Sequence, residues 1–316
     1  MISTVFFLAG IAALSIVYAL QFAVDTSQYV VRMWSETENY MTSVERVVKY
    51  SQIEQEPGYQ NHRQPPEHWP QYGQVQIKDL ELVYYHGGPK ILKGITFIIN
   101  PHEKIGVVGR TGAGKSSLIA ALFRMPQPNG YVIIDDVNVS DVNIQSSRRA
   151  MAVITQNPVL FTGTLRMNLD PFEEYEDMEI WNALKDASLG AMAKNLPQQL
   201  NQLVKESGSN FSSGERQLLC LARALLRKNK IIVMDEATAN VDPKTDQLIQ
   251  ETIRTKFKHC TVITVAHRLN TIMDYDRILV LDHGRVVEYD KPEILLQNEG
   301  GYFSRLCRNY DDNADH

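Results

Sequence analysis

The chain of 316 residues contains little cysteine: three residues, at positions 220, 260 and 307, none close to another. A scattered, odd set excludes a disulfide framework and suits a reducing compartment. Positive charge is not in surplus either. Lys and Arg number 32 against 37 Asp and Glu, a formal net charge of −5. The basic face that nucleic acid demands is missing, so no nucleic-acid partner is expected. The eight histidines recur at no metal-ligand spacing, and His259-Cys260 lacks the second pair a zinc site needs. Charge is absent altogether from residues 1–24, MISTVFFLAGIAALSIVYALQFAV. A bilayer span requires ~20 mainly apolar residues. Leu, Ile, Phe and Val each favour insertion by roughly 0.3–0.6 kcal/mol, whereas one central Asp or Lys would cost about 2.5–3.5 kcal/mol. A signal peptide fits less well, because no basic segment precedes the run and the run exceeds an h-region. A buried core helix stays open on pattern alone.

Past this run, Val30, Val31, Trp34, Met41, Val44 and Val48 recur at helical spacing among Glu, Arg and Ser. Residues 1–51 therefore read as a membrane helix with an amphipathic extension into water. Residues 52–73, rich in Pro and Gln, read as a linker. A soluble domain is expected over 74–310, and a polar, frayed tail over 311–316. Val75, Ile77, Leu80 and Leu82 suggest an early strand. The runs Lys104-Ile105-Gly106-Val107-Val108, Ile231-Ile232-Val233-Met234 and Thr261-Val262-Ile263-Thr264-Val265 are short, apolar and typical of buried parallel strands. Residues 117–124, 177–195 and 213–228 look helical. Residues 278–281 and 285–288, joined through Asp282-His283-Gly284, read as a hairpin. The fold class is α/β, with a parallel β core and a helical insert between Gln156 and the Ile231 strand.

Gly109-Arg110-Thr111-Gly112-Ala113-Gly114-Lys115-Ser116 meets the Gly-x4-Gly-Lys-Ser pattern of a phosphate loop. Its glycines let backbone N–H groups turn toward phosphate with no Cβ in the way, and the helix that starts here adds its positive end. Lys115 would neutralise β- and γ-phosphate, Ser116 would hold Mg²⁺ through its hydroxyl, and Ser117 closes the cradle. Downstream, Asp235 ends an apolar strand where it can reach a magnesium shell. Glu236 follows, placed to act as general base toward water. A third string, Phe211-Ser212-Ser213-Gly214-Glu215-Arg216-Gln217, lies between the two.

Gly112-Ala113-Gly114-Lys115-Ser116, Phe211-Ser212-Ser213-Gly214-Glu215, Asp235-Glu236, Ala239-Asn240-Val241-Asp242 and His267-Arg268 together resemble an ABC ATPase domain. The longer strings Gln156-Asn157-Pro158-Val159-Leu160-Phe161-Thr162-Gly163-Thr164-Leu165 and Glu206-Ser207-Gly208-Ser209-Asn210-Phe211 are more specific. They are similar to the second nucleotide-binding domain of the multidrug resistance-associated (C) subfamily, with the nearest likeness to its protein 4 branch. The resemblance covers almost the whole chain. It implies a P-loop NTPase fold with an antiparallel β subdomain and a helical subdomain, preceded by one transmembrane helix. It implies ATP and Mg²⁺ as ligands, with Ser116, Gln156 and Asp235 toward the metal. Tyr85 then sits where the family's aromatic stacks on adenine, with Tyr84 as rival. Gln156 matches the glutamine that contacts Mg²⁺ and water, and His267 matches the histidine that touches the γ-phosphate. Asp242 matches the loop that crosses the domain pair. Ser212, Ser213 and Gly214 match the grip on the phosphate held by a partner domain.

The string departs from the family at Glu215, where Gln is usual. A carboxylate in the first helical turn stabilises the helix by roughly 0.3–1 kcal/mol. At ~8 Å from the partner's phosphate and an effective dielectric near 20, repulsion is about 2 kcal/mol per unit charge pair. Glu215 is thus expected to steady the lone domain and to loosen the ATP-bound pair.

The resemblance further implies an ATPase of the plasma membrane, its catalytic domain cytosolic, that exports organic anions. Its partners are then a first nucleotide-binding domain and the remaining transmembrane helices, or a homodimer mate, together with the lipid bilayer and the cargo. One helix cannot form a translocation path, so the chain is expected to be part of a larger transporter. A non-transporting remnant that only binds ATP, and a soluble ABC ATPase, stay open as alternatives.

Overall fold

The computed structural model describes residues 2–61, 63–235, 241–266 and 268–314. Contacts divide the chain into two compact units, Met1–Glu56 and Pro57–His316.

The first unit is dominated by one helix, α1 (Ile2–Ser51). At 1.5 Å per residue it is about 75 Å long, more than twice the ~30 Å hydrocarbon core. Its apolar stretch reaches a mean hydropathy of 2.1, which makes it long and apolar enough to cross a membrane. Ser15 Oγ donates to Ile11 O and Thr26 Oγ1 to Phe22 O, so these hydroxyls are satisfied within the helix. The later half carries the i,i+4 pairs Arg32–Glu36 and Glu45–Lys49, as a water-exposed helix should.

The second unit holds three sheets. Its strands are β1 (Val75–Leu82), β2 (Leu92–Ile99), β3 (Lys104–Val108), β4 (Asn129–Ile134), β5 (Val137–Asn138), β6 (Met151–Ile154), β7 (Gly163–Thr164), β8 (Leu203–Val204), β9 (Ile231–Asp235), β10 (Thr261–Val265), β11 (Arg277–Asp282) and β12 (Arg285–Asp290). Its helices are α2 (Lys115–Leu122), α3 (Ile144–Arg149), α4 (Leu165–Leu169), α5 (Asp177–Asp186), α6 (Gly190–Asn195), α7 (Ser213–Arg227), α8 (Pro243–Thr255), α9 (Pro292–Gln297) and α10 (Tyr302–Ala314). The antiparallel sheet runs β2-β1-β4-β5, the main sheet β12-β11-β3-β10-β9-β6, and a small sheet pairs β7 with β8. In the main sheet β11, β3, β10, β9 and β6 are parallel, and the hairpin strand β12 is antiparallel. Ile231, Ile232, Val233, Val262 and Val265 are wholly buried, which is why these strands read as unbroken apolar runs. One core packs the antiparallel sheet and α2 against the main sheet, a second joins α5 and α7 to β6 and β9, and a third lies under α10 around Phe303.

Three sequence expectations are revised. The helical stretch 177–195 breaks after Asp186, and Ser188 takes a φ of 62° before α6 begins. The last helix, α10, continues through positions 311–314, where a frayed tail was expected. Most informative is the linker. The unit boundary falls at Glu56/Pro57, and the described residues of 57–73 lie pinned on the domain. Buried Arg124 donates to Pro57 O as well as to Val139 O and Val142 O. Trp69 Nε1 donates to Ile134 O at 2.8 Å. The N–H groups of Tyr72, Gly73 and Gln74 all donate to the Asp135 carboxylate. A Pro-rich segment cannot join a ladder through every residue, so side chains satisfy its polar groups instead.

Candidate functional site

The site forms along the C-terminal edge of the main sheet. β3 feeds the phosphate loop, and β10 lies between β3 and β9. Neighbouring strands are ~4.8 Å apart, so Asp235 at the end of β9 lies about 10 Å along the sheet from the loop. β6 flanks β9, with Ile154 opposite Met234, and delivers Gln156 two residues further on. Three motifs spread over residues 109–235 of the chain thus share one rim. Glu236 and His267 lie outside the described residues, as do Ala239 and Asn240.

In the loop, Gly109, Gly112 and Gly114 take φ of 154°, 80° and 103°. Gly114 is the N-cap of α2, and the first N–H groups of a helix have no i−4 carbonyl to reach. Lys115 is only 7% exposed. Its ammonium donates to Gly109 O at 2.9 Å and Arg110 O at 3.2 Å, so a cation is held inside the curl of the loop. Arg110, Thr111, Gly112 and Ser116 face outward, whereas Ala113 is buried. A Cβ added at Gly112 would meet no atom within 4 Å, so the mouth is open. An enclosed ammonium, outward backbone and an exposed hydroxyl fit a polyphosphate chain. Ser116, Gln156 and Asp235 supply the hard oxygen donors that suit Mg²⁺, with phosphate oxygens completing such a set.

The aromatic beside this loop is Tyr84. Its hydroxyl donates to Ser117 Oγ at 3.0 Å, and the side chain stays half exposed. Tyr85 instead folds over the following turn: Gly88 N donates to Tyr85 O, and its ring lies 3.0 Å from the position a Gly88 Cβ would take. The preference for Tyr85 finds no support in this geometry. Tyr84 keeps the alternation of buried Leu80 and Leu82, since successive side chains of an extended chain point to opposite faces.

Ser212 is the N-cap of α7. Its hydroxyl accepts from Glu215 N at 3.2 Å, and the Glu215 carboxylate accepts from Ser212 N at 2.7 Å. This capping box gives Glu215 a local partner. Ser212 and Ser213 are exposed, and Gly214 is buried. A Cβ on Gly214 would come 2.7 Å from Thr245 Oγ1 and 3.3 Å from Asp242 Oδ1. Asp242 N-caps α8 through Thr245 N and Thr245 Oγ1, and these bonds, the hydroxyl's first, hold its carboxyl below the usual range. Thr245 therefore couples the Ser212 helix to the Asp242 loop, a role the sequence reading did not assign. Gln217, buried at the same helix, donates to Thr155 O at 3.2 Å and fixes the strand end before Gln156.

A parallel core with a phosphate loop, an acidic neighbouring strand and a serine-capped helix on a helical lobe defines an ABC-type ATPase domain. Residues 92–239 match the ABC transporter family. Its relatives are of the C subfamily. It is 51% identical over 300 residues to ATP-binding cassette sub-family C member 4 of Homo sapiens, across 95% of this chain and 23% of that protein. It is 44% identical to the ATP-dependent bile acid permease of Saccharomyces cerevisiae, across 95% of this chain and 19% of that protein. Among solved structures, a bacterial Atm1-family ABC exporter with ATP bound superposes with a TM-score of 0.78 at 29% identity, covering 87% of this chain and 48% of that one. The chain thus spans about a fifth to a quarter of the curated relatives it matches.

Proposed function

We propose that this chain is the second ATPase half of an ABC exporter, coupling ATP hydrolysis to efflux of organic anions across the plasma membrane from the cytosolic side. What carries the reading is one juxtaposition: the phosphate loop, Asp235 and Gln156 share a sheet edge in a chain that also holds a helix fit to cross a bilayer.

Lys115 and the loop N–H groups bind and orient the triphosphate. Ser116, Asp235 and Gln156 would hold Mg²⁺, which supplies neutralisation of phosphate charge when bound. Glu236 removes the proton of the attacking water, and His267 contacts the γ-phosphate. Ser212 and the Gly214 backbone, steadied by the Asp242–Thr245 contact, reach the phosphate of the partner domain, which is the first nucleotide-binding domain of the transporter. ATP binds the closed domain pair better than ADP does, and that difference drives the membrane helices. Val159, Phe161, Met167 and Leu203 leave exposed apolar side chains beyond Gln156, a surface suited to the cytoplasmic ends of those helices.

A Glu236→Gln variant, co-expressed with the partner half, should hydrolyse ATP at least ~100-fold more slowly yet retain bound ATP. ATP-dependent uptake of an anionic probe into inside-out vesicles should fall with it. Hydrolysis near the parental rate would assign the base elsewhere. Adenine stacking falls to Tyr84 in this proposal. An aromatic pair contributes about 0.5–1.5 kcal/mol, so Tyr84→Ala should raise KM for ATP by roughly 2- to 12-fold while Tyr85→Ala leaves it unchanged. The reverse pattern would restore Tyr85.

A further inference from the structure

At the opposite edge of the main sheet, where β6 and β9 begin, lies a cavity of about 470 Å³. Four stretches of chain line it. Pro65, His68, Trp69 and Pro70 come from the pinned segment; Ser146, Arg149 and Ala150 from α3 and its end; Arg227 and Lys228 from the end of α7; and Asn229 and Lys230 precede β9. No carboxylate is among the lining residues, in a chain whose formal net charge is −5. Of the four permanent cations, Arg149 pairs with Glu174 and Lys228 with Glu179. Among the described residues, Arg227 and Lys230 have no ion-pair partner.

Helix capping explains part of this charge. Cations at a helix C-terminus complement its dipole, which accounts for Arg227 and Lys228. Arg149 closes α3 in the same way, so it is Lys230, ahead of β9, that brings a cation to this space without a helix end to explain it. Arg227 and Lys230, the two cations of the lining without a carboxylate partner among the described residues, repel each other, and the cost is relieved by an anion that reaches both. The guanidinium fork of Arg227 suits phosphate oxygens. Trp69 and the two prolines supply an apolar wall on one side. We propose that this cavity binds a multiply charged phosphate, either free or carried on a lipid headgroup. A bound phosphate would tie the pinned segment, through His68 and Trp69, to the sheet edge and to the end of α7. The site is separate from the phosphate loop, which sits at the other end of β3.

The test uses the full chain in nanodiscs, in a Lys115→Ala background that removes competition from the phosphate loop. Inorganic pyrophosphate is titrated against phosphatidylcholine discs, and discs with added phosphatidylinositol 4,5-bisphosphate are compared with discs lacking it. Binding is read by calorimetry and by tryptophan fluorescence. We expect saturable binding of pyrophosphate, or a fluorescence change specific to the phosphoinositide discs; which of the two occurs identifies the source. Arg227→Gln/Lys230→Gln should weaken binding at least ~10-fold and flatten its salt dependence, with the thermal unfolding midpoint unchanged. Lys194→Gln, a lysine outside the cavity lining, should have no effect, and Trp69→Phe should remove the fluorescence signal but keep the calorimetric one. Equal affinity in the parent and the double variant, or no binding of either probe at millimolar phosphate, overturns the proposal.

Discussion

Replacing Lys115 with alanine should abolish the stabilisation of the ATPase domain by ATP while the fold persists. The side chain is buried, yet its contacts are with loop carbonyls that water can reach once the lysine is gone. Little folding energy depends on it. Its ammonium is the concentrated positive charge inside the loop, and removing one such electrostatic group costs about 10²–10³ in turnover. A ligand at 100 times its Kd stabilises a protein by about 2.7 kcal/mol, and a 100-fold weaker Kd reduces that to about 0.4 kcal/mol. Thermal unfolding with and without ATP, alongside initial hydrolysis rates in the complete transporter, measures both effects. A variant that keeps the parental ATP-induced shift would show that the loop holds phosphate without this lysine.

Gly109→Ala should cost stability directly. Gly109 has φ +154°, and an added Cβ would stand 2.2 Å from Leu281 O and 3.1 Å from Ala113 Cβ. Leu281 O is backbone in β11, which is hydrogen-bonded to β3 on one side and β12 on the other, so neither neighbour can swing aside as a flexible side chain would. Overpacking and backbone strain of this kind amount to roughly 2–4 kcal/mol. For a domain of this size each kcal/mol moves Tm by about 2–4 °C, giving a fall of roughly 4–16 °C. Gly112→Ala is the internal control. Its φ is +80° but no atom lies within 4 Å of the added Cβ, so only the left-handed strain of about 1–2 kcal/mol remains. Calorimetry on the two variants compares them, and equal midpoints would show that the Leu281 contact is relieved by movement elsewhere.

The correspondence between sequence and structure varies with the range of the interaction. The phosphate loop, the start of α7 after Ser212 and the apolar strands before Gly109 and ending at Asp235 were legible because each depends on residues within a turn or two of one another. Glu215 was read correctly as a first-turn carboxylate, but its bond to Ser212 N, rather than an outward charge, emerges only from the structure. Tyr84 and Tyr85 are adjacent and chemically identical, so the choice between them rests on which face of the chain packs on α2. The segment over 57–73 has the composition of a free linker, and composition does not reveal that Arg124, Asp135 and Ile134 await its polar groups.

By itself, the sequence determined which short stretches are strands, where a helix must begin, which residue types are offered to phosphate, and that residues 1–24 favour lipid over water. These follow from local backbone preference and from side-chain transfer energies, which act residue by residue. Tertiary structure alone decided that β10 inserts between β3 and β9, that Thr245 joins the Ser212 and Asp242 elements, and that cations from three stretches of chain meet around one cavity. Strand order and such meetings are set by how separate apolar faces bury one another across long loops, a collective outcome that no single window of residues encodes.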